Sequence, residues 1–77
     1  MKYAIHAVRY DGIGVELCER DDEVKALWDA ESLSSLCPLA VIHLYLREPF
    51  ELPSGKPIEG QYRLSLVAKF KDGEEVK

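Results

Sequence analysis

Apolar and polar positions alternate along four stretches of this chain and recur at helical spacing along one. The first stretch, Lys2 to Tyr10, is rich in aromatic and β-branched residues and runs into Asp11-Gly12. That dipeptide suits a type I′ hairpin turn, in which both central positions need positive φ. The second stretch, Ile13 to Arg20, sets Ile13, Val15 and Leu17 on one face and Glu16, Cys18 and Arg20 on the other, the pattern of a half-buried strand. A loop of two or four residues puts the first strand's Ala4, His6, Val8 and Tyr10 on the inner face and Tyr3, Ile5, Ala7 and Arg9 on the outer one. A three-residue loop exchanges the two sets.

Asp21 or Asp22 then caps a helix whose apolar stripe is Val24, Leu27 and Trp28. Glu31 falls on the same stripe, so the regular helix is expected to end there, with one further short turn before Cys37-Pro38. Trp28 is expected to pack on the inner sheet face against Leu44, Leu64 and Leu66. Leu39 to Arg47 is apolar on both faces, with Ala40, Ile42, Leu44 and Leu46 on one and Leu39, Val41, His43, Tyr45 and Arg47 on the other. Such a strand belongs in the middle of a sheet. Glu48 to Gln61 carries Pro49, Pro53, Gly55, Pro57 and Gly60 and reads as a long loop. Tyr62 to Lys71 alternates again, with Tyr62, Leu64, Leu66, Ala68 and Phe70 inward. Glu74 to Lys77 reads as a solvated tail.

The order ββαββ predicts an α+β fold: one antiparallel four-stranded sheet in the order 2-1-3-4, with one helix on one face. The two strands that are apolar on both sides then lie in the middle. At 77 residues the chain makes one domain, and a domain of this size buries only about 60% of the surface its unfolded chain exposes.

Charge narrows the functional classes. Ten Lys+Arg against 14 Asp+Glu leave a net charge of −4, which disfavours phosphate backbones and anionic lipid. The longest apolar run, Leu36 to Leu46, is interrupted by Pro38 and His43 and falls short of the roughly 20 residues that cross a bilayer. Cys18 and Cys37 have no disulfide-rich or metal-type spacing, so a cytoplasmic protein with reduced thiols is expected.

Motifs for chemistry are scarce. Gly12-Ile13-Gly14 lacks the third glycine and the following helix of a dinucleotide loop, and Pro57 stands where a phosphate loop needs Ser or Thr. His6, His43, Cys18 and Cys37 are the candidate metal ligands, but the face assignment separates His6 from Cys18. Ser32, Ser34 and Ser35 belong to helix-end chemistry, and Glu48, Glu51 and Glu59 sit in the long loop without fixed geometry. No catalytic, cofactor or metal site is assigned.

One surface exceeds an ordinary solvated face. Tyr3, Ile5, Ala7 and Arg9 with Val41, His43, Tyr45 and Arg47 are expected to form an apolar, aromatic patch with a charged rim on the helix-free side, which is the anatomy of a protein interface. The expected function is therefore a non-catalytic module that binds another protein or its own copy as a homodimer, unless the loop from Glu48 to Gln61 folds over the patch. A second reading is an acidic inhibitor or regulator that presents Asp21, Asp22, Glu23, Asp29 and Glu31 to a basic surface of another protein, such as one that normally binds nucleic acid. A third is single-strand nucleic-acid binding, with bases stacked on Tyr3, His43 and Tyr45 and phosphates held by Arg9, Arg47, Arg63 and Lys69. The acidic balance argues against the third.

Overall fold

The computed structural model describes residues 2–76. Its elements are β1 (Lys2–Arg9), β2 (Gly14–Arg20), α1 (Glu23–Leu36), β3 (Ala40–Glu51), β4 (Pro57–Lys71) and β5 (Glu74–Val76). They form one antiparallel sheet in the order β2-β1-β3-β4-β5, with α1 packed on one face. The α+β architecture and the order of the first four strands are as expected. The count differs by one, because the segment read as a tail turns at Asp72-Gly73 and adds β5 beside Lys69–Lys71.

Turn and bulge geometry set the faces. Arg9 donates its N–H to the Ile13 carbonyl at 3.0 Å, so the β1–β2 loop holds three residues, Tyr10, Asp11 and Gly12. Gly12 supplies the single positive φ, +86°, in the manner of a turn followed by a left-handed residue. This loop exchanges the faces expected from a two-residue turn. Tyr3, Ile5 and Ala7 pack into the helix-side core, and Ala4, His6 and Val8 alternate onto the open side.

Two bulges set the remaining faces of the core strands, and a third irregularity, between Pro49 and Glu51, gives β4 three extra residues over 58–61. Ile5 pairs with Cys18 and His6 with Glu16, leaving Leu17 as an extra residue in β2. Leu44 pairs with Ala68 and Tyr45 with Leu66, leaving Val67 extra in β4. One inserted residue breaks the period of two, so the strand presents opposite faces on either side of it. Cys18 and Arg20 therefore point to the helix side, contrary to the simple alternation of β2. Ala68 and Phe70 point into the core, whereas Tyr62, Leu64 and Leu66, expected inside, share the open face with Pro49, Arg47 and Tyr45.

The helix is longer than expected and turned differently. Asp22 caps it, accepting the Val24 N–H at 3.3 Å. It runs on to Leu36 because Ser34 is absorbed into the fold. The Ser34 hydroxyl donates to the Glu31 carbonyl at 2.6 Å and accepts the Gly73 N–H at 2.8 Å. Ala26, Ala30 and Ser34, four residues apart, are the buried positions. Their small side chains let the helix lie close to Ile5, Ile42, Leu44, Ala68 and Phe70, with Leu27 and Leu33 at the flanks. Trp28, expected in the core, is 69% exposed.

The segment Glu48 to Gln61 is not a lid. β1 pairs with β3 no further than Arg47, and beyond it β3 and β4 continue as a two-stranded arm closed by the Leu52–Lys56 turn. The arm extends the sheet, leaving the helix-free face open.

Candidate functional site: the helix-free sheet face

Alternation from the fully buried Ile42 and Leu44 throws Val41, His43, Tyr45 and Arg47 onto the helix-free face. These four of the expected interface residues stand together. The other four do not join them. Tyr3, Ile5 and Ala7 lie beneath the helix, and Arg9 continues their side of β1, exposed and paired with Asp11 at 3.6 Å. Their places on the open face are taken by Ala4, His6 and Val8, opposite Tyr45, His43 and Val41.

The face divides into a polar and an apolar part. Across four strands Glu16, His6, His43 and Lys69 stand in one row. His43 Nδ1 and the Tyr45 hydroxyl share a hydrogen bond at 2.8 Å, and the His6 ring meets the Tyr45 ring edge-on at 5.0 Å. His6 Nε2 lies 3.9 Å from Glu16 and is buried without a hydrogen-bond partner among the described residues. Burial holds the His43 imidazole below the ordinary histidine range, with Lys69 and His6 adding to the effect. Arg47 is bound by both Glu16 and Glu19, and its guanidinium lies 5.5 Å from the centre of the Tyr62 ring. Lys2 at the margin pairs with Asp21 at 2.7 Å.

The apolar part is the row on β4. Tyr62 is 58%, Leu64 44% and Leu66 49% exposed. A period-two reading finds this row but places it inside with Ala68 and Phe70, because the extra residue at Val67 has no glycine or turn residue to mark it. Glu16 was expected on this face and stands there, whereas His6 and Glu19 escaped the sequence reading through the three-residue turn and the bulge at Leu17.

The acidic set is largely consumed within the fold. Asp22 caps α1, Asp29 binds Arg20 at 2.6 Å, and the Asp21 carboxyl is held below its usual range by its hydrogen bond and charge pairing with Lys2. Glu23 and Glu31 remain exposed. The expected phosphate contacts are similarly engaged, Arg47 by two carboxylates, Arg63 by Glu48 at 3.5 Å and Arg9 by Asp11. Tyr3, one of the three stacking candidates, faces the helix.

Other features offer less. Cys18 and Cys37 are both free, on the helix side and at the helix end. Among the described residues there is no group of three or more His, Cys, Asp or Glu placed to hold a metal ion. No described helix is long and apolar enough to cross a membrane. A shallow apolar depression of about 400 Å³ lies at the turn end of the molecule, lined by Tyr10, Cys37, Pro38 and Leu39 among others. Comparison with known proteins found no matching family model, no matching curated protein and no matching solved structure.

Proposed function

We propose that this chain is a non-catalytic protein-binding module that docks through the helix-free face of its sheet, on a protein partner or on another copy of itself. The supporting observation is the row Tyr62, Leu64 and Leu66, each about half exposed on the face that no helix covers. Alternating apolar side chains normally point into a core, and here a bulge turns them outward. Tyr45, opposite Leu66, extends the apolar area inward, Val41 with Val8 forms a smaller apolar pair beyond the His43–Lys69 row, and Arg47, Glu16 and Glu19 border the face. An apolar patch with a charged border is the composition of a binding surface. The two free thiols fit a reducing compartment such as the cytoplasm.

The test is affinity capture by the purified chain from extract of its native host. Val41→Asp and Arg47→Glu, both on the open face, should abolish capture, while Trp28→Ser on the exposed side of α1 should leave it unchanged. Capture that survives the first two and fails in the third would move the binding surface to the helix.

A further inference from the structure

The polar row on the open face carries a further inference. Glu16, His6, His43 and Lys69 stand side by side on four strands, each opposite the next. The row crosses the face between Tyr45 with Leu66 on one side and Val41 with Val8 on the other. Histidine is the side chain whose ordinary titration falls near neutral pH, so the two imidazoles decide how the charge of this face varies there. Their surroundings differ. His43 shares its Nδ1 with the Tyr45 hydroxyl at 2.8 Å and stands opposite Lys69. Burial, Lys69 and His6 hold its imidazole below the ordinary range. The first proton that the row takes up therefore goes to His6.

His6 has an acceptor within reach for that proton. Its Nε2 is buried without a hydrogen-bond partner among the described residues and lies 3.9 Å from Glu16 Oε1, about 1 Å beyond hydrogen-bond length. The same Oε1 accepts from Arg47 Nη2, while Glu19 accepts from Arg47 Nη1. Arg47 reaches these carboxylates from β3 across the width of β1, so Glu16 is one of two anchors that stretch it over the sheet. We propose that His6 is a proton-operated switch of the open face: a proton taken from solvent at Nε2 draws the Glu16 carboxylate to His6 and releases Arg47 Nη2 at the border of the docking face.

The competition for Glu16 favours His6. A protonated Nε2 is a buried charged donor with no other acceptor beside it, and an unpaired buried charge is costly. Arg47 keeps Glu19 and the Tyr62 ring, 5.5 Å from its guanidinium. The remaining groups around His6 do not reverse this. Tyr45 meets its ring edge-on, Lys69 lies a strand beyond His43, Lys2 pairs with Asp21, and α1 packs on the opposite face of the sheet. The two imidazoles face each other, so a proton on His6 keeps a second one off His43. The consequence for binding rests on the docking reading above. At lower pH an apolar partner must cover an added charge and a half-released guanidinium, and it docks more weakly.

Nitrogen NMR of the arginine side chains between pH 8 and pH 5.5 reads the switch without a partner. At pH 8 the two Nη groups of Arg47 should give separate signals, because two carboxylates hinder rotation of the guanidinium. They should merge over the same interval in which the His6 ring C–H signal titrates. Glu16→Gln should merge them already at pH 8, His6→Asn should keep them separate down to pH 5.5, and His43→Asn should leave the merging in place. Separate signals throughout the His6 titration, or merging that persists in His6→Asn, would overturn the proposal. Capture of a host partner should fall about threefold or more from pH 7.5 to pH 5.5 with the wild type, and less with His6→Asn. Equal capture at both pH values would break the link to binding. Merging signals with no partner captured leave the switch standing and sink the docking reading. Unmoved Arg47 signals, with capture that Val41→Asp abolishes, sink the switch and leave the docking face.

Discussion

Replacing Ile5 by alanine tests which face of β1 is buried, and Leu66→Ala is its natural counterpart on the other side of the sheet. Ile5 is fully buried, opposite Leu44 on β3 and Cys18 on β2. Removing its carbons beyond Cβ forfeits about 2.4 kcal/mol of transfer free energy at about 0.8 kcal/mol per carbon group. The cavity left under the helix raises the loss to about 3–4 kcal/mol, because strands pinned on both sides relax little. Leu66 loses the same number of carbons from a side chain 49% exposed, and about 1 kcal/mol is expected. For 77 residues the whole stability is about 4–12 kcal/mol, so Ile5→Ala removes a large fraction of it. Urea denaturation followed by far-ultraviolet circular dichroism measures both. Equal losses, or a larger loss for Leu66→Ala, would refute the face assignment and with it the open apolar row.

Other outcomes follow from single contacts. Trp28→Ala should cost under about 1 kcal/mol instead of the 3–5 kcal/mol of a buried tryptophan, and native emission should lie near that of free tryptophan. Ser34→Ala should cost about 1–3 kcal/mol in the same melt, since it strips the partner from the Gly73 N–H. Gly73→Ala should cost about 1–2 kcal/mol, because φ is +82°, while the Ser35 hydroxyl, 2.6 Å from the new Cβ, can rotate aside. Burial, Lys69 and His6 all depress the His43 pKa in the folded chain, so its neutral form contributes stability that is present above the unfolded value of 6.5 and lost as pH falls through the folded value. Thermal melts between pH 8 and pH 5 should show a weaker acid dependence in His43→Asn than in the wild type, and parallel profiles would rule this contribution out.

Sequence reasoning reached the parts of the fold that rest on simple periodicity. Two apolar faces placed β1 and β3 in the middle, the pair Asp21-Asp22 marked the helix start, and the inward set Ile42 and Leu44 on β3 was legible. What escaped it has local causes. Asp11-Gly12 suits turns of two residues and of three, and the choice reverses β1. Leu17 and Val67 form bulges with ordinary strand residues, so nothing in composition separates them from regular alternation. Prolines and glycines at Glu48 to Gln61 suggested a loop, yet Pro57 begins a strand and Pro49 pairs across the ladder. The helix stripe was misjudged because large apolar residues drew attention, whereas close helix–sheet approach selected the small ones at Ala26, Ala30 and Ser34. Of the residues expected on the helix-free side, those of β3 lie there and those of β1 do not.

The bulge at Val67 makes the character of this surface depend on pairing register. If Val67 is taken into the ladder opposite Tyr45, β4 regains strict alternation, and Tyr62, Leu64 and Leu66 turn to the helix side with Ala68. Val67, Ser65 and Arg63 then come up onto the open side opposite Tyr45, Arg47 and Pro49. A slip of one residue along half a strand thus exchanges an apolar margin for a more polar, basic one with no change of sequence. Deleting Val67 removes the residue that the slip needs. Leu66 then precedes Ala68 in regular alternation, and the apolar row stays on the open side.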